Sequence, residues 1–267
     1  MLRLIALCLT VLVFAACSAP REEALPARSE LAPAGTLRAG INFGNVLLTK
    51  KDPATGEPGG VAVDMARELA RRLNVPIQIV PYDSAGALAD AAGSGVWDVG
   101  FLGAEPQRAN EIDFTAAYAE IESTYLVPPG SPIQRLEEVD RPGVRIAIAA
   151  KSAYDLYLSR NLKSATLERA AGADVAFRRM IDEKLDAMAG LRPVLVTYVE
   201  KLPGSRVLDG SFSSVQQAAG TPKGRPAGAA YLREFIEDAK QSGFVAQSIE
   251  KNGVRGLTVA PPAPASN

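Results

Sequence analysis

Between Thr36 and Leu202 the chain keeps switching between two hydrophobic patterns that no single secondary structure can satisfy. Short runs rich in small and branched apolar residues ("TLRAGI", "PIQIVPY", "VWDVGFL", "VRIAIAA", "ATLERAA", "LDAMAGL") read as strands. Each of the others is followed by a stretch of helical period. In "VAVDMARELARRLN", Val61, Met65, Leu69 and Leu73 fall on one stripe while Arg67, Glu68 and Arg71 turn outward. Strands that alternate with helices build parallel βαβ units, so the fold class is α/β. The apolar stretches "TYLVPPGSPI" and "VQQAAGTPKGRP" end in Pro/Gly-rich segments and are candidates for two strands crossing between lobes. The expected division is a discontinuous first lobe, residues 36–126 and 218–256, around a second lobe, 127–217. A cleft at such a junction is where a ligand sits and where closure occurs.

The two ends read differently. Residues 1–16 have the form of a signal peptide: Arg3, then the apolar "LIALCLTVLVF", then small residues before Cys17. "FAAC" is similar to the lipobox of bacterial lipoproteins, with Phe14 where leucine is usual, and implies a lipid anchor on Cys17. Residues 17–35, small and proline-dotted, read as a flexible linker, and 257–267 ("LTVAPPAPASN") as a disordered tail. The expected location is the periplasm or cell surface, with the membrane met through the lipid.

Composition excludes more chemistry than it suggests. The 267 residues include no histidine and a formal net charge of −1, which removes imidazole bases and histidine-held metals and offers no field for nucleic acid. Cys8 lies within the leader and Cys17 takes the lipid, so no thiol remains for metal or catalysis. "SIEK" (Ser248 to Lys251) matches the S-x-x-K of penicillin-binding serine enzymes, but without its partner motifs it reads as solvated helix surface. No cofactor or metal is expected.

Anion binding is better motivated. In "FLGAEPQRANEIDFT" an apolar strand ends, the chain turns at Gly103, and a helix is expected whose first turn carries Pro106 and Arg108. That position is the carboxyl end of a buried strand, where open α/β sheets bind ligands. A guanidinium there can hold a carboxylate with two parallel bonds. Ser152 opens a helix after the strand "VRIAIAA", with Asp155 at capping-box spacing, and free amides at a helix start also favour negative charge. The bland alternative for Arg108 is a surface ion pair with Glu105 or Glu111, and for Ser152 a simple cap.

From Thr36 to about Gly253 the sequence resembles bacterial extracellular solute-binding proteins of family 3, the polar amino-acid receptors of ABC importers. The carrying stretches are "GTLRAGIN", "GEPGGVAVDMARELARRL", "GVWDV", "EPQRANEIDFTAAY", "RPGVRIAIAAKSAYDLYL", "LDAMAG" and "SGFVAQSIEKNG". The resemblance implies the two-lobed periplasmic binding protein type II fold, monomeric, closing over one small molecule that is handed to a membrane permease. It also implies that Arg108 holds the ligand carboxylate and that Ser152, with Lys151 beside it, assists from the other lobe. Asn42 and Asn45, and less securely Phe43, would form the wall after the first strand, with Gly103 and Glu105 in the loop before Arg108.

The sequence departs from the family pattern in three places. The loop from Asp98 to Arg108 is about two residues short, Glu105 replaces a frequent threonine, and Leu191–Arg192 stand where an aspartate normally receives the α-ammonium. Leucine cannot balance an ammonium and arginine repels it. The favoured ligand is therefore a small carboxylate or other polar anion that is not a standard α-amino acid, with Arg192 as a second cationic contact; an amino acid remains the other reading, with Glu105 receiving the ammonium if it points into the cleft. Two alternatives accompany this reading: an enzyme resembling cyclohexadienyl dehydratases, with Glu105 as the general acid, and a sensory subunit presenting its ligand to a receptor.

Overall fold

A computed structural model of the chain describes residues 24–264, and the elements follow the expected alternation. Helix α1 (Ala24–Leu31) leads into β1 (Leu37–Asn42), a small hairpin of β2 (Lys50–Lys51) and β3 (Pro58–Gly59), and α2 (Val61–Leu73). Then come β4 (Ile77–Tyr82), α3 (Ala85–Asp90), β5 (Val99–Gly103) and the long strand β6 (Ile112–Val127). The middle of the chain holds β7 (Arg145–Ala149), α4 (Ala153–Asn161), β8 (Thr166–Ala170), α5 (Ala173–Asp182), β9 (Ala187–Leu191) and α6 (Arg192–Lys201). After the short β10 (Arg206–Val207), β11 (Ser213–Pro222) returns the chain to α7 (Pro226–Gln241), α8 (Phe244–Lys251) and β12 (Thr258–Val259).

The strands run in the order β4-β1-β5-β11-β6-β9-β7-β8, which is two parallel sheets welded through two antiparallel strands. β1 lies parallel to β4 and β5, and β7 parallel to β8 and β9. Between them β11 pairs with β5 through Gln217–Gly220, while β6 pairs with β9 through Ser123–Leu126. β6 and β11 pair with each other along most of their length and are the two connections that carry the chain between lobes. The apolar core is divided in the same way. One set of buried side chains gathers α2, α7 and β1, and others gather α4, α5 and α6 around β7 and β9.

The local reasons are those of the sequence. All four stripe residues of α2 are buried, and Asn74 ends the helix in the left-handed conformation (φ 51°). Trp97 is fully buried and donates its indole N–H to the Leu88 carbonyl at 3.1 Å, fixing α3 over β5. Asp98, also fully buried, accepts from Arg38 Nε at 2.9 Å and Nη2 at 2.8 Å and from Arg225 Nη1 at 3.0 Å. It thereby ties β1 to the start of α7. Gly243 (φ 78°) separates α7 from α8.

Several expectations are corrected. Within the stretch read as a flexible linker, residues 24–31 are helical, because Ala27 and Leu31 find a partner surface on α7. Gly228 leaves the space, since a Cβ there would meet Leu31 Cδ2 at 2.7 Å, and its amide donates to Glu30 at 2.7 Å. The start of the expected disordered tail is ordered too: Leu257 is buried and β12 pairs with β6. Arg108 lies not in a helix but in a single 3₁₀ turn, Arg108–Asn110, because β6 begins at Ile112. Ser248 is buried rather than solvated, donating to Asp64 at 2.9 Å and tying α8 to α2. The signal peptide, Cys17 and the first part of the linker lie outside the described residues. No helix among the described residues is long and apolar enough to cross a membrane.

Candidate functional site

The carboxyl ends of the parallel strands of both lobes face one another across a cavity of about 90 Å³, several waters wide on the measure by which one water needs roughly 10–15 Å³. Its walls come from Asn42 and Asn45 after β1, Asp83 and Ser84 after β4, and Gly103 and Arg108 after β5. The other lobe contributes Ala149, Ser152 and Tyr154 around the start of α4, Gly172 and Ala173 at the start of α5, and Leu191 at the end of β9. The connecting strand β11 adds Val215 and Gln217. A larger cavity of about 650 Å³ adjoins it, sharing Gly44, Asn45, Tyr154, Gly172 and Leu191.

Arg108 is the centre of this arrangement. Only 6% of it is exposed, and no carboxylate among the described residues lies within ion-pair distance of it. Nη1 donates to the Gly103 carbonyl at 2.6 Å, and Nη2 reaches across the cleft to the Lys151 carbonyl at 2.8 Å. Of the five N–H bonds of a guanidinium, the rest have no partner among the described residues. Burial pushes its pKa down to about 10, against a partial rescue from the charges of Glu105 and Asp90. A buried cation whose neighbours are carbonyls is a site in need of an anion.

Gly103 makes the close approach possible. A Cβ there would stand 3.0 Å from both Ala153 Cβ and Val215 Cγ1.

The facing wall is built to complement that cation. Ser152 caps α4, its Oγ accepting the Asp155 amide at 3.0 Å, and the Asp155 carboxylate reaches back to the Lys151 amide at 2.7 Å. The expected capping box thus forms with its return bond one residue early. Lys151 takes φ 53°, a left-handed turn that aims its carbonyl at Arg108. The Ala153 and Tyr154 amides have no partner among the described residues, and Gly172 caps α5 without a side-chain bond. Two helix starts therefore present free amides and positive dipole ends beside the cavity. Tyr154, with its phenol pushed up to about 12 by burial, adds a neutral wall between the two cavities.

Four expected site residues lie elsewhere. The Lys151 ammonium pairs with Asp90 at 2.6 Å on the outside of the cleft; both are exposed, so the pair contributes roughly 0–1 kcal/mol. Glu105 is claimed by Arg160 at 2.6 Å and does not line the cavity, because α4 brings that guanidinium across the junction. Phe43 turns away to the adjoining cavity, with Lys51 over its ring. Arg192 is held by Glu122 at 2.7 Å and by the Leu208 and Gly210 carbonyls, which anchor it along β6 and leave only Leu191 facing the cavity. Asn42 and Asn45 do line the cavity, although each spends its side-chain oxygen on a local turn, to Gly44 and to Leu47.

Sequence reasoning passed over Asp83, Ser84 and Gln217. The first two carry the same signal as Asn42 and Gly103, polar or small residues just past a parallel strand. Gln217 carries another, a glutamine inside an otherwise small and apolar strand. Asp83 is the one carboxylate lining the cavity among the described residues, and it is exposed at the rim.

Comparison with curated proteins gives no match. Among solved structures, the chain resembles an ancestral amino acid-binding protein described as a precursor of cyclohexadienyl dehydratase (24% identity, 84% of this chain and 97% of that one, TM-score 0.69). It also resembles a mutant of the arginine-binding protein ArgBP from T. maritima (22%, 84% and 98%, TM-score 0.70). An amino acid ABC transporter substrate-binding protein from Streptococcus pneumoniae, bound to L-arginine, is similar to the same degree (20%, 88% and 99%, TM-score 0.70). At these identities the likeness establishes the two-lobed fold. The family model matched over residues 44–254 goes further, and the chain belongs to the bacterial extracellular solute-binding proteins, family 3.

Proposed function

We propose that this protein is the extracytoplasmic receptor of an ABC importer and captures a small carboxylate-bearing solute that lacks an α-ammonium group. The observation that carries the reading is Arg108, a buried guanidinium with unspent N–H bonds and no carboxylate of its own. A ligand carboxylate set against it completes the charge pair, and the free amides of α4 bind its other oxygen from the opposite lobe. Because the two sets of donors sit on different lobes, the ligand favours the closed arrangement. That supplies the differential affinity that closure requires. Water exclusion then strengthens the pairing.

The ammonium is argued against by Leu191, an apolar side chain lining the cavity, with Arg192 turned to Glu122 behind it. The expected location is the periplasm or cell surface, tethered through a lipid on Cys17, with a permease as partner and the receptor itself a monomer. The dehydratase alternative requires a general acid in the cavity, and Glu105 is bound to Arg160 outside it.

The test is a thermal-shift screen of α-amino acids against 2-hydroxy, 2-oxo and unsubstituted acids, with prephenate and arogenate assayed for turnover. A ligand at a hundred times its dissociation constant adds about 2.7 kcal/mol to the folded state, a readable shift. Stabilisation by the non-amino acids supports the proposal. Stabilisation by α-amino acids alone refutes the ligand class, and turnover refutes the receptor role.

A further inference from the structure

Gln217 is a second polar side chain of the cavity with hydrogen-bonding capacity unspent among the described residues. It is 4% exposed, lines the cavity, and its side-chain amide has no hydrogen-bond partner among the described residues. Its neighbour Gln216, by contrast, donates to the Ser214 carbonyl at 3.3 Å. A primary amide carries two donors and an acceptor, and at the cavity wall these are left for whatever occupies the cavity.

Its position is set by the sheet. Gln217 is the direct cross-strand partner of Gly103, so the two project from the same face of the sheet, where Ala153, Val215 and the Arg108 guanidinium close in over Gly103. Neighbouring strands lie roughly 4.7–4.9 Å apart. Because Arg108 is anchored on the Gly103 carbonyl, the backbone of Gln217 lies about one strand spacing from the guanidinium's anchor. A carboxylate on Arg108 therefore brings the next atoms of the ligand within reach of Gln217. The register between β11 and β6 also shifts just after Gln217, so the contact falls at an irregularity in a connecting strand.

We infer that Gln217 is the specificity-determining residue for the group next to the ligand carboxylate, and that this group is an uncharged hydroxyl or oxo oxygen. The inference rests on the carboxylate reading of Arg108 given above. A hydroxyl donates to the amide oxygen and accepts from the amide nitrogen, and an oxo group accepts from the nitrogen. An ammonium would meet only the partial charge of the amide oxygen, with apolar Leu191 in the cavity wall and Asp83 out at the rim. The ligand class is thus a short 2-hydroxy or 2-oxo acid.

The test is titration calorimetry with matched three- and four-carbon acids (propanoate, lactate, pyruvate and alanine; succinate and malate) on the wild type, Gln217→Leu and Gln217→Met. The wild type should bind lactate or pyruvate, or malate in the longer series, about fivefold to tenfold more tightly than the unsubstituted acid, the range of one net hydrogen bond. Gln217→Leu should bind substituted and unsubstituted acids alike. Gln217→Met serves the same purpose should the leucine variant not fold.

Equal wild-type affinity for substituted and unsubstituted acids overturns the role of Gln217 while leaving the carboxylate reading intact. So does discrimination that survives in the variants. Failure of every acid to bind the wild type removes the carboxylate reading, and this inference with it.

Discussion

Replacing Arg108 with methionine removes a charge and keeps most of the side-chain length, so it separates what this residue does for folding from what it does for binding. Burial lowers the guanidinium pKa from 12.5 to about 10. At about 1.36 kcal/mol per unit, holding the cation in the ligand-free protein costs on the order of 3 kcal/mol. Methionine relieves that cost but leaves the Gly103 and Lys151 carbonyls without their donor, at roughly 1–3 kcal/mol each. At the middle of that range the net loss is about 1 kcal/mol, and the ligand-free melting temperature should fall by about 2–4 °C at roughly 2–4 °C per kcal/mol. Binding has no such compensation. Two charge-assisted hydrogen bonds at roughly 1.5–3 kcal/mol each correspond to a loss of affinity of at least about a hundredfold. The assay is differential scanning fluorimetry with and without the best acid from the screen. A ligand-free melting temperature lowered by more than about 10 °C, with the ligand response kept, would make Arg108 a structural tie and refute the reasoning.

Other outcomes follow from the same contacts. Arg108 binds fewer protons folded than unfolded between about pH 10 and 12.5, so its own contribution makes the fold more stable as pH rises through that window; carboxylate affinity, measured by calorimetry, should be flat at neutral pH and fall above about 10. Gly103→Ala places a methyl 3.0 Å from Ala153 Cβ and Val215 Cγ1 and should weaken the same ligand about tenfold, read by the same titration. Asp98→Ala strands Arg38 and Arg225 and should cost about 3 kcal/mol, a fall of roughly 6–12 °C in melting temperature. Leu31→Ala should cost about 2–4 kcal/mol and expose the amides of α1 to hydrogen exchange ahead of those of α7.

The elements with a strong period were legible, because period reports which face is buried and both α2 and the buried strands announce theirs. Helix α1 was not, since "ALPARSEL" has no marked stripe and folds only because Gly228 leaves a socket for Leu31. Strand β12 likewise exists because β6 has room beside Glu120. At the site, position in the chain pointed to Arg108 and Ser152, and the family resemblance to Asn42 and Asn45, all at or just past the ends of parallel strands. Neither could foresee where long charged side chains reach, and Lys151, Glu105 and Arg192 each found an opposite charge on another element. Gln217 was missed for the opposite reason: it lies within a strand, where a glutamine announces neither core nor ligand until its neighbours are known.

The most direct measurement is a crystal structure of the wild-type protein with a bound 2-hydroxy or 2-oxo acid. The account predicts both carboxylate oxygens within hydrogen-bond distance of Arg108 and the Ala153–Tyr154 amides, in a closed cleft. A carboxylate seated away from Arg108, or an α-ammonium held by Asp83, would contradict it.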